Sequence, residues 1–145
     1  MNTVNNIDKE TKQELTSNII DTTNPNQIKE LNSESAKLAV KEAENLKGSN
    51  ITLLDVTKIT NISEYVLIIT GTSSTHCKAI AENIRVEAKK HKLDVLGFES
   101  DPQSEWILID LDDTVIHVMQ KEAREYYALE KLWQVVIDKA SKNRD

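Results

Sequence analysis

The chain has 145 residues, 39% of them hydrophobic and 29% charged, with a formal net charge of −6. That length suits one domain around one core, and no apolar run approaches the roughly 18 residues a helical membrane span needs. A single cysteine, Cys77, rules out an intramolecular disulfide and a cysteine-rich zinc site.

Residues 1–30 are rich in Asn, Thr, Lys and Glu, with a turn-like DTTNPN at 21–26, and read as a flexible extension. Leu15, Ile19 and Ile20 would share one face of any short helix there. The opening MNTVNNIDKETKQELTS lacks a basic start and an apolar run and is too acidic for a presequence, which points to the cytoplasm. SESAKLAVKEAENLK (33–47) repeats Ala36, Ala39, Val40, Ala43 and Leu46 at helical spacing, with a serine to start it and Gly48 to stop it.

ITLLDVT (51–57) and YVLIITG (65–71) are β-branched, apolar runs, the second apolar on both faces as a central strand would be. GTSS then turns the chain into a helix with Cys77, Ile80, Ala81, Ile84 and Ala88 on its inner face. LDVLGFE (93–99) is the short return strand of a βαβ unit. WILIDL and TVIHVM follow as an antiparallel hairpin, so the acids between them fall mainly at a turn. KEAREYYALEKLWQVVIDKA (121–140) closes the chain as one amphipathic helix, with Tyr126, Leu129, Leu132, Trp133, Val136 and Ala140 on its stripe. The expected architecture is an α/β domain over 31–140, a single mixed sheet of about five strands with flanking helices, and a tail at 141–145.

The distribution of charge is more informative than its total. Between Leu93 and Gln120 lie seven acids, Asp94, Glu99, Asp101, Glu105, Asp110, Asp112 and Asp113, and no Lys or Arg. Such a flank repels phosphate backbones and argues against nucleic acid as the main contact. It suits a basic protein, which it would also steer electrostatically. The bland alternative is an ordinary solvated face.

The sharpest enzymatic reading is a metal-dependent nucleotidyltransferase or nucleotide-binding protein. Gly71, Thr72 and Ser73 would hold phosphates, and Asp110 with Asp112, alternating onto one strand face, would hold magnesium. In that chemistry the acid pair closely follows the glycine-serine turn, whereas here a helix intervenes, and no Lys or Arg from 93 to 120 clamps a triphosphate. GTSS is no P-loop and reads as turn plus N-cap. His76, His91 and His117 share no metal-ligand spacing, and no nucleophile, base and orienting acid assemble. No catalytic residue, metal or cofactor is therefore expected. Trp106, at the edge of the acidic flank, is the interface candidate, and Trp133, mid-stripe in the last helix, the core one.

Four stretches carry a family resemblance: EYVLIITGTSSTHCKAIAENI (64–84), LGFES (96–100), EWILIDLDDTVIHVM (105–119) and REYYALEKLW (124–133). In combination they resemble the ribosomal silencing factor family, RsfS or Iojap, over roughly residues 33–138. The resemblance implies a nucleotidyltransferase-like fold without transferase activity. It also implies a protein that binds the large ribosomal subunit at ribosomal protein L fourteen, sterically blocks subunit joining and lowers translation when nutrients are short. The family pattern falls on Tyr65, Gly71, Ser73, Ser74, Gly97, Trp106, Asp110, Asp113, His117, Arg124, Tyr127, Leu129, Glu130, Leu132 and Trp133. The chain departs from it at His76 for the usual arginine, at Glu64 for aspartate, and at Asp112, where glycine is common. The expected partner-binding residues are Glu99, Asp101, Glu105, Trp106, Asp110, Asp113, His117 and Tyr127. An exposed strand edge beside Trp106 also admits a homodimer.

Overall fold

A computed structural model describes residues 18–142. Its centre is a six-stranded mixed sheet of order β1-β2-β3-β6-β5-β4. The strands are β1 (Ile19–Ile20), β2 (Ser49–Asp55), β3 (Tyr65–Gly71), β4 (Gly97–Ser100), β5 (Trp106–Asp110) and β6 (Thr114–Gln120). β3 is buried along its whole length, as its two-faced apolar sequence requires.

Helix α1 (Pro25–Lys29) is a short turn capped by Asn24, and α2 (Glu34–Asn45) starts where the Ser33 side chain accepts the Ala36 N–H at 2.9 Å. The same device starts α3 (Ser74–Lys90), where Ser73 accepts the His76 N–H at 3.1 Å. Gly71 has to be glycine because a Cβ there would stand 2.5 Å from Cys77 Sγ and 3.1 Å from its backbone nitrogen. α2 and α3 cover one face of the sheet, burying Ala36, Val40, Leu67, Ile80, Ile84, Ile107, Ile109 and Ile116. On the other face α4 (Lys121–Tyr127) and α5 (Leu129–Lys142) enclose a smaller cluster of Leu54, Val56, Val66, Ile68, Met119, Ala123 and Leu129.

Several expectations change. Ile19 and Ile20 form an edge strand antiparallel to β2, so from Asn18 onward the proposed extension is docked, with the Asn18 amide donating to Asp55 O at 2.9 Å. Leu15 lies outside the described residues. The sheet thus has six strands rather than about five. The crossover from β3 through α3 does return in the same direction to β4, but β6 and β5 are inserted between them, and the parallel neighbour of β3 is β6. The closing helix is two helices. Ala128 adopts a left-handed conformation (φ 48°) that breaks the stripe and leaves Tyr126 82% and Leu132 57% exposed, while Leu129 and Ile137 stay buried.

Arg124 holds that break in place. Its guanidinium donates to Glu130 Oε1 (2.6 Å), Asn50 O (2.6 Å), Thr70 Oγ1 (2.9 Å) and Thr52 Oγ1 (2.9 Å), pinning α4 and α5 to the ends of β2 and β3. The R-x-x-Y-x-L-E spacing is therefore the two sides of one corner.

Asp112 occupies the turn between β5 and β6 with φ 73°, a region costly to any residue with a Cβ. Asp112→Gly is expected to raise stability by up to about 1 kcal/mol, read as a higher urea midpoint at unchanged slope.

Candidate functional site

α4 packs against β3 and β6, and α5 adds Leu129 and Trp133 to the cluster on the same face. On the β4–β5 half of that face α4 reaches Trp106 through Tyr127, while Leu108 and Asp110 stay partly exposed. Strand register sets what this open half displays. Trp106 stands beside Met119, Leu108 lies between Glu99 and His117, and Asp110 lies between Gly97 and Val115. Side chains opposite one another on paired strands share a face, so these rows form one surface.

At one end of it sits an aromatic cluster. The Trp106 indole N–H donates to His117 Nδ1 at 3.0 Å, with ring centroids 5.8 Å apart, and the Tyr127 ring lies 4.6 Å from that of Trp106. Tyr126 packs edge-on against Tyr127 at 5.0 Å. Because Nδ1 accepts, His117 carries its proton on Nε2. Burial pushes the His117 pKa down to about 4, and the nearby Glu130 carboxylate offsets this only in part. Protonation would also break the indole hydrogen bond. The unfolded chain takes up this proton near pH 6.5 and the folded one only near pH 4, so stability falls as pH drops between those values. By pH 5 the loss from this residue should be about 2 kcal/mol. His117→Gln, which can still accept from the indole, is expected to flatten that part of the urea-midpoint profile. An unchanged slope between pH 6.5 and 5 in the variant would remove His117 as its cause.

The acids fall into three situations. Glu99 and Glu105 are exposed, with no side-chain hydrogen bond or ion pair among the described residues. Asp101 Oδ1 accepts the Trp106 N–H at 2.9 Å and so closes the loop that presents the indole. Asp110 Oδ1 accepts the Asp112 N–H at 3.0 Å, and Asp113 Oδ1 accepts the Thr114 hydroxyl at 3.1 Å. The Asp113 carbonyl takes the N–H groups of Glu64 and Tyr65 and the Ser63 hydroxyl, which ties the β5–β6 turn to the start of β3. Asp110 and Asp113 thus stand at the end of the surface remote from the aromatic cluster, and Asp113 is occupied in the fold. The reading of Asp110 and Asp112 as a carboxylate pair on one strand face does not hold. β5 ends at Asp110, and Asp112 is the left-handed residue of the turn that Asp110 caps. Among the described residues no group of three or more His, Cys, Asp or Glu is placed to hold a metal ion. No described helix is long and apolar enough to cross a membrane.

Sequence reasoning missed Leu108 and Val115, half-exposed apolar residues on this face. Leu108 lines a shallow groove with Glu99, Ser100, Asp101 and Trp106. The signal was present in WILID, whose outward set Trp106, Leu108 and Asp110 is too apolar for an ordinary solvated face. His76 is stitched into the fold. Its Nδ1 accepts the Thr72 N–H at 2.9 Å and its Nε2–H donates to Leu46 O at 2.7 Å, joining the β3–α3 turn to the end of α2.

Residues 29–145 match the family model described as "Ribosomal silencing factor during starvation". The chain belongs to the ribosomal silencing factor family. The RsfS of Chromobacterium violaceum is 38% identical over 100 residues, covering 69% of this chain and 82% of that one. The RsfS of Haemophilus influenzae is 42% identical over 88 residues, covering 61% and 86% respectively. A mouse protein named "Mitochondrial assembly of ribosomal large subunit protein 1" is 34% identical over 92 residues, with only 38% of its length covered. The fold is similar to a crystal structure from Chromobacterium violaceum, at a TM-score of 0.67 and 38% identity over 69% of this chain and 83% of that one. As a ribosomal silencing factor, the chain belongs to a family that acts on translation without being enzymes.

Proposed function

We propose that this protein docks through the open β4–β5 half of its sheet on ribosomal protein L fourteen of the large ribosomal subunit, and that its bulk then blocks joining of the small subunit. The observation that carries this reading is the placement of the Trp106–His117–Tyr127 cluster and Leu108 inside a rim of Glu99, Asp101, Glu105 and Asp110 that contains no base. A half-exposed aromatic anchor with an apolar neighbour and a charged rim is the anatomy of a protein interface. The rim's sign selects a basic partner, as ribosomal proteins typically are, and disfavours bare RNA. Family membership and the mouse relative's name support the large subunit as the particle bound. Repression under nutrient limitation follows from the same reading, with a cytoplasmic place of action and no bond made or broken.

The test is co-sedimentation with purified large and small subunits, followed by a reassociation assay. The protein is expected to travel with large subunits alone and to reduce formation of joined ribosomes in proportion to the amount bound. Sedimentation with neither particle would end the proposal. Magnesium-dependent binding of a nucleoside triphosphate by calorimetry would favour the transferase-like reading instead.

A further inference from the structure

We propose that the outer edge of β4 is a strand-addition site that receives an extended basic segment of the protein partner and lengthens the six-stranded sheet by one strand. This deepens the docking reading above and rests on it. Among the described residues β4 pairs only with β5. The Asp101 N–H donates to Trp106 O at 3.3 Å, which fixes the phase of the antiparallel ladder. Backbone groups of Glu99 and Asp101 face β5, and those of Phe98 and Ser100 face outward.

Such a row of unpaired N–H and C=O groups is a template for another strand, and proteins usually blunt it with Lys, Pro, a bulge or a covering loop. Gly97–Ser100 contains neither Lys nor Pro, and Leu96 and Phe98 beside the edge are 61% and 40% exposed. The side chains specify the occupant. Phe98 pairs with Ile109 and so lies on the α3 side of the sheet, while Glu99 lies with Leu108 on the open face. An added strand therefore alternates an apolar residue over Phe98 with Lys or Arg opposite Glu99 and Asp101. A second copy of this chain fits less well, because pairing β4 with itself brings Glu99 and Asp101 against like charges. The edge is continuous with the groove of Glu99, Ser100, Asp101, Trp106 and Leu108, so one partner can fill both.

Residue-resolved hydrogen–deuterium exchange of the full chain, alone and with purified large subunits, tests this. Expected is slowing of exchange at Phe98 and Ser100 by at least about tenfold in the complex. Ser100→Pro deletes an outward N–H that the fold does not use, as edge strands tolerate, and is expected to weaken co-sedimentation at least about tenfold. Ser100→Ala should bind like the parent. If the proline variant loses its native circular dichroism, the exchange result on the parent chain decides. Binding with Phe98 and Ser100 still exchanging freely overturns strand addition alone, leaving docking intact, whereas no binding at all sinks both. Slow exchange in the free chain also overturns it, pointing to a second copy if it depends on concentration and to the chain's own coverage if it does not.

Discussion

Reversing two exposed acids, Glu99→Lys with Glu105→Lys, is expected to weaken binding to large subunits by about a hundredfold or more while the fold stays native. Neither carboxylate makes a side-chain hydrogen bond among the described residues, so little stability is at stake. At a basic partner, each substitution replaces attraction with repulsion, and like charges set against each other cost several kcal/mol. The check is co-sedimentation at two ionic strengths beside circular dichroism. The deficit should shrink at high salt, where surface charges are screened. Undiminished binding would remove the acidic rim from the interface. Trp106→Ala with Asp110→Lys should also abolish binding, but its interpretation needs more care. The indole packs on the smaller core cluster and satisfies His117, and Asp110 caps the β5–β6 turn, so this pair is expected to lose a few kcal/mol of stability as well. It should be measured well below its melting temperature.

Arg124→Ala is expected to destabilise the fold by about 3 kcal/mol. The substitution removes four hydrogen bonds and strands Glu130, Asn50 O and the two threonine hydroxyls at the corner where α4 gives way to α5. Arg124→Lys should recover only a fraction, because an ammonium cannot reproduce a fork that reaches four acceptors. Urea denaturation at pH 7.5 decides it. A loss below about 1 kcal/mol would mean that Leu129 and Ile137 hold the helices in place without the arginine.

The elements easiest to read in the sequence are those whose local signals agree with one another. β3 is apolar on both faces and becomes a central strand, and α3 has its cap, its stripe and its close-packed glycine within one stretch. The β5–β6 hairpin follows from two apolar runs separated by a short acidic turn. What could not be read depends on distant partners. Ile19 and Ile20 are a strand only because β2 offers an edge. Ala128 carries no mark of a left-handed residue, and the helix breaks there because Arg124 finds acceptors on β2 and β3 far back in the chain. Likewise the insertion of β6 beside β3 is a choice between two apolar runs that look alike locally. The surface residues show the same division. Trp106, His117 and Tyr127 were singled out separately, and only the sheet register and the α4 corner bring them into one cluster. Leu108 was missed because a half-covered sheet face cannot be told from a covered one until the helices are placed.

The side-by-side pairing of β3 with β6 also shapes how the molecule is made. The middle of the sheet joins segments separated by all of α3, β4 and β5, so during synthesis the first two-thirds of the chain can form α2, α3 and the β2–β3 ladder but cannot bury β3 on both edges. Long-range pairing of this kind delays folding until its last participant arrives. Only once Gln120 has left the exit tunnel can the nascent chain close its centre, and only then do α4 and α5 have a floor to settle on.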